Sequence, residues 1–231
     1  MKKRVRPSAT ACDLVRRAPV GHPEPRVARL NVTLAVKRLV RDVAARVPEL
    51  AHVRSSRVLV VAGEARRASR ATIRPAHFKR PRAPGTGGRQ KPLIRVRGRK
   101  ILYVITLRPL WFRASTPEQR IGTILHELYH ASNRFDGTLH RGRRHSRLPR
   151  ARYNRKIRRL LERYLAVAPP EIVAPFSASG IVRARMWLER PGGSFPEEGF
   201  TGRRLYTERQ LFCGLVRMVT PRRRKTRRAA G

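Results

Sequence analysis

The chain has 231 residues, with 55 Lys and Arg against 14 Asp and Glu, a formal net charge of +41 and a pI near 12. That length accommodates one domain of ordinary size with tails, and 40% hydrophobic content confines a packed core to part of it. Two cysteines far apart, Cys12 and Cys213, exclude a disulfide framework and a Cys-based zinc site, and no apolar run is long enough to span a bilayer.

The first 28 residues, with Pro7, Pro19, Pro23 and Pro25 among scattered Arg, read as a disordered basic arm. Met1 to Arg4 has the charge of a signal-peptide start, but no apolar h-region follows it, so a reducing cytoplasm is the expected compartment. From Leu30, residues Val32, Val36, Leu39, Val40, Val43 and Val47 recur at helical spacing until Pro48, which predicts an amphipathic helix with a core-facing stripe. Arg57 to Ala62 is short and β-branched, a strand, and a second extended piece runs from Ala71 to about Phe78. Pro81 to Pro92, holding three glycines, is a surface loop. Alternation from Arg95 to Leu107 around a turn at Gly98 suggests a hairpin whose second arm lies inside the sheet, with Ile101, Tyr103 and Ile105 on one face.

Ser115-Thr116-Pro117-Glu118 predicts a helix start, with Ser115 and Glu118 spaced as a capping box and Pro117 in the first turn. This helix carries the chemistry. Residues four apart lie one turn above each other, so His126 and His130 present two imidazoles to one point, half of a tetrahedral zinc shell. Glu127, about 100° round the helix from His126, can reach a water at the metal without ligating the ion and act as general base. Ile121, Ile124, Leu125 and Leu128 centre on the opposite side, which packs on the sheet.

Two histidines follow that could complete the shell. Asp136-Gly137 is a turn signal that lets the chain reverse. His145 precedes the next helix, a rigid element able to hold it, and is the expected third ligand. His140, mid-loop beside Arg141, is the alternative, with the Asp136 carboxylate a further option. His22 sits in the basic arm, and His52 and His77, which border strands, read as surface or packing residues. That next helix runs from about Pro149 to Val167, with Tyr153, Ile157, Leu160, Leu161, Tyr164 and Leu165 on its buried side. Tyr153 fits either the core or an oxyanion-stabilising role, whereas Tyr129 points away from the ligand face. Beyond Pro169-Pro170 come extended pieces at Ile181 to Leu188 and Leu211 to Val219, and then a basic tail.

The run Ile124-Leu125-His126-Glu127-Leu128-Tyr129-His130, continued by Arg134 to Leu139, His145-Ser146 and Tyr153-Asn154, resembles the phage metallopeptidase family, which is similar to the SprT-like and other His-Glu-x-x-His zinc peptidases. The likeness extends over roughly residues 30 to 221, and its specific part is His126 to His145. It implies a zincin-like fold, His126 and His130 as zinc ligands and Glu127 as base, and it supports His145. The Arg-rich stretch between Gly137 and His145 departs from the family pattern.

The expected architecture is α+β, a small, mostly antiparallel sheet packed against the His-Glu-x-x-His helix and flanking helices. Residues 29–168 form the metallopeptidase core, 169–219 a C-terminal extended segment packed on it, and 220–231 a disordered basic tail. The expected function is zinc-dependent hydrolysis of peptide bonds in a protein or peptide substrate. The alternatives are a nucleic-acid-binding protein with a structural zinc site, a protease tethered to DNA by its charge, and a hydrolase of a non-peptide amide. Charge spread along the whole chain is compatible both with non-specific phosphate contact and with a mere excess of Arg codons.

Overall fold

The computed structural model describes residues 29–63, 69–76, 93–109, 112, 114–143, 149–189, 191 and 205–218. Both expected tails and the Pro81 to Pro92 loop lie outside these residues. The sheet is the frame on which everything else is hung. Among the described residues its five strands are β1 (Val58–Ala62), β2 (Ala71–Pro75), β5 (Tyr103–Leu107), β6 (Gly180–Trp187) and β8 (Leu211–Met218), in the order β2-β5-β1-β6-β8. β1 pairs in parallel with β5 and with β6, whereas β2–β5 and β6–β8 are antiparallel. The α+β class holds, but the sheet is mixed and not mostly antiparallel. All five residues of β1 are buried, as a central strand covered on both faces requires.

One face carries the main core. Helix α1 (Val32–Arg46) lays Val36, Leu39, Val40 and Val43 on it, and its N-terminus is closed by Asn31, whose side chain accepts from the Leu34 amide at 3.0 Å. Helix α2 (Pro117–Tyr129) adds Ile121, Ile124, Leu125 and Leu128, all fully buried, and α3 (Arg150–Leu165) adds Tyr153, Ile157, Leu160 and Tyr164. Truncating one such leucine to Ala costs about 2–5 kcal/mol. A glycine lets α2 and α3 approach, since a Cβ on Gly122 would stand 3.2 Å from Leu161 Cδ2.

The opposite face is covered by a second, smaller sheet of β3 (Leu93–Val96), β4 (Arg99–Lys100) and β7 (Leu205–Tyr206), in the order β4-β3-β7. Here the hairpin reading needs correction. Arg97 and Gly98, at φ 49° and 70°, make a two-residue turn that joins β3 to β4, not β3 to β5. Ile101 accordingly joins Leu59, Val61, Ile94 and Tyr206 in the second cluster, away from Tyr103 and Ile105.

The start of α2 also shifts by one residue. Thr116, not Ser115, is the N-cap. Its hydroxyl accepts from the Gln119 amide, and the Gln119 side chain accepts from the Thr116 amide, both at 3.2 Å. Pro117 decides this, because it occupies the first helical position and the cap must precede it. No helix among the described residues is long and apolar enough to cross a membrane.

Candidate metal centre

His126 stands in the last turn of α2, and His130 is its C-cap residue. Their Nε2 atoms lie 3.3 Å apart. Two nitrogens bound at about 2.0–2.1 Å to one tetrahedral zinc stand about 3.3–3.4 Å apart, so the pair is spaced as two ligands of one ion. His130 Nδ1 is 2.8 Å from the Arg143 carbonyl oxygen. A carbonyl only accepts, so Nδ1 carries the proton and a neutral ring keeps its Nε2 lone pair toward His126. Orientation of a ligating imidazole through its other nitrogen is the usual support at a metal.

Glu127 is turned toward β2 and is only 7% exposed. One carboxylate oxygen, Oε2, accepts from the Ile73 amide at 2.7 Å, which fixes the side chain against the edge strand. Burial pushes its pKa up to about 7, against the opposing effect of the Ile73 hydrogen bond. A carboxyl poised near neutrality suits proton transfer in both directions.

Tyr153 comes from α3. Its hydroxyl sits 3.3 Å from His130 Nε2 and 3.5 Å from the His126 carbonyl oxygen, and its ring stacks on His130 with centroids 5.5 Å apart. Burial, and then the neighbouring Glu127 and Tyr129, raise the Tyr153 pKa far above that of a free phenol, so the group remains a donor. Tyr129 packs edge-on against the Tyr153 ring, with centroids 5.9 Å apart. Its carbonyl accepts from Arg143 Nη1 at 3.3 Å, and its ring lies 4.2 Å from that guanidinium.

The segment after α2 reverses. Ala131 bridges to Leu139, the His140 amide donates to the His130 carbonyl at 2.9 Å, and Gly137 takes φ 86°. Tyr103 pins the turn, donating to the Thr138 carbonyl at 2.7 Å and accepting from the Gly137 amide at 3.1 Å. Asp136 Oδ1 accepts from both the amide and the hydroxyl of Thr138, local work that holds the turn. The backbone of His140 thus returns to His130, but its Nδ1 accepts from the Gly142 amide at 3.2 Å. Among the described residues no three His, Cys, Asp or Glu side chains come together as a metal-binding group, so neither His140 nor Asp136 completes one with His126 and His130. His145 lies outside the described residues, as do His22 and His77. His52 packs against Phe135, and burial, followed by Arg143 and His140, lowers its pKa.

Two features of the centre are absent from the sequence reading. The Ile73 amide and the Arg143 carbonyl are backbone groups, which leave no residue-type signal. Tyr153, which by its spacing fits the core or an oxyanion-stabilising role, stands beside His130. No protein-family model, curated protein or solved structure matches the chain.

Proposed function

We propose that the chain is a zincin-like, zinc-dependent metallopeptidase, akin to the phage metallopeptidases, with His126, His130 and His145 as ligands and Glu127 as general base. The observation that carries this reading is the His126–His130 pair at 3.3 Å, with the second ring fixed by the Arg143 carbonyl and a buried carboxylate at the intervening position. Zinc, when bound, supplies a Lewis acid that acidifies water and polarises a carbonyl. The chain's own groups do the rest. Glu127, steadied by Ile73, takes a proton from the attacking water and returns it to the departing amine. Tyr153, a protonated donor beside His130, hydrogen-bonds the oxyanion that develops.

The peptide substrate is inferred from the sheet edge. Among the described residues β2 is an outer strand, and its Ile73 amide already touches the base. An extended peptide is recognised by main-chain pairing beside such an edge, a mode closed to a small amide. The third ligand is inferred from connectivity. Arg143 and Tyr153 both contact His130, and His145 lies between them in the chain, whereas His140 Nδ1 is committed to Gly142. The test is zinc content and hydrolysis of an unfolded protein substrate in the wild type and in single Ala variants at His126, His130, His140 and His145. All but His140→Ala should lose both. Loss at His140 with retention at His145 reverses the ligand choice.

A further inference from the structure

We infer that the solvent face of α3 is a docking surface for the phosphate backbone of duplex nucleic acid. The helix holds seven Lys and Arg and one Glu in its 16 residues. Six net charges over that length are about twice the density of the whole chain, +41 over 231, so a uniform excess of Arg does not account for it. The distribution is one-sided. Tyr153, Ile157, Leu160 and Tyr164 are buried, while Arg152, Arg155, Lys156, Arg158, Arg159 and Arg163 are exposed. At 3.6 residues per turn, Arg152, Arg155 and Arg159 fall within a sector of about 60° and span about 10 Å of the axis.

Two carboxylates of neighbouring elements are already engaged, one of them with Arg163 of this helix. Glu49 pairs with Arg163 at 2.5 Å. Asp42 pairs with Arg46 at 2.8 Å and accepts from the Tyr164 hydroxyl at 2.8 Å. Glu162, the one acid on the helix, makes no ion pair with a described residue. Among the described residues Arg152, Arg155, Arg158 and Arg159 have no carboxylate within ion-pair distance. A row of guanidiniums rather than ammoniums suits phosphate oxygens, which they bind in bidentate fashion. The apolar side of α3 is spent on the core, so the helix has no face to insert into a lipid surface, as an interfacial helix must.

The experiment uses the full chain and a 20-base-pair DNA duplex of arbitrary sequence, with binding measured across a salt series. Arg155→Gln with Arg159→Gln should lower the slope of log affinity against log salt by about 1.8, equivalent to about 60-fold weaker binding at 0.1 M salt. Arg38→Gln with Arg54→Gln, two exposed residues elsewhere that remove the same charge, should leave the slope close to wild type. If the double variant loses its helical circular dichroism, single Arg155→Gln should show half the change. Equal losses in the two doubles, no binding at low salt, or binding to phosphatidylserine vesicles but not to DNA would each overturn the proposal. The assay reads DNA binding alone, so its result is independent of whether the histidine pair holds zinc or hydrolyses anything.

Discussion

Replacing Glu127 in two ways separates its chemical role from its structural one. Glu127→Gln keeps an oxygen to accept from the Ile73 amide, now bonded at 2.7 Å, and preserves side-chain volume in a position only 7% exposed. The fold should therefore be retained, and with it the zinc of the proposed centre, in which Glu127 is not among the ligands. What disappears is the proton acceptor. General-base catalysis contributes about 10²–10⁴-fold, so kcat should fall by that factor, or about 3–5 kcal/mol of barrier. Glu127→Ala removes the acceptor as well and leaves the Ile73 amide buried without a partner, at a cost of about 1–3 kcal/mol of stability before any cavity is counted. Hydrolysis of a fluorogenic peptide, zinc by mass spectrometry and urea unfolding read the three quantities on the same samples. Undiminished turnover in Glu127→Gln would refute the base assignment. Equal destabilisation by Gln and Ala would refute the role given to the Ile73 hydrogen bond.

Three further outcomes are expected. Tyr153→Phe deletes the hydroxyl 3.3 Å from His130 Nε2, and should keep zinc and lower kcat about 10²–10³-fold with little change in KM, whereas unchanged kcat removes the oxyanion role. Arg120→Met should destabilise the fold by about 3 kcal/mol or more in urea unfolding, because the buried guanidinium donates to the carbonyls of Phe112, Phe176 and Ala178 at 3.3, 2.5 and 2.9 Å; a loss under about 1 kcal/mol contradicts this. Lys37, which donates to the carbonyls of Ser55 and Val58, has its pKa pushed down to about 8 by burial and then by Arg185, Arg41 and Arg99. The unfolded chain holds that proton up to about pH 10.5, so the destabilising effect of the charge is full below about 8 and lifts between 8 and 10.5. Wild type should accordingly gain on Lys37→Met in urea midpoint between about pH 7.5 and 10, and a constant gap sinks the argument.

Much of this arrangement can be read locally. The spacing of Val36, Leu39, Val40 and Val43, and of Ile121, Ile124, Leu125 and Leu128, assigns two helices and their buried faces, because each stripe needs only the helical repeat to be recognised. Pairing is different. β1 meets β5 across some 45 residues and β6 across more than 120, and nothing in the local alternation of either strand names its partner. The uninterrupted apolar run of Val58 to Ala62 did carry a hint of a central strand with parallel neighbours, which the hairpin reading of Arg95 to Leu107 passed over. Ser115 and Thr116 are both competent caps, and only the position of Pro117 selects between them. At the centre, spacing was enough to bring His126 and His130 together, since one turn of helix sets it. The groups that hold them, from β2, from Arg143 and from α3, arrive through tertiary structure.

The central claim is that two imidazoles one turn apart hold a zinc ion, and metal analysis of the purified full chain tests it most directly. After exhaustive dialysis, wild type should retain about one zinc per chain, and His126→Ala and His130→Ala should retain almost none while unfolding as cooperatively as before. Wild type without bound metal after zinc loading, or variants that keep it undiminished, would contradict the account.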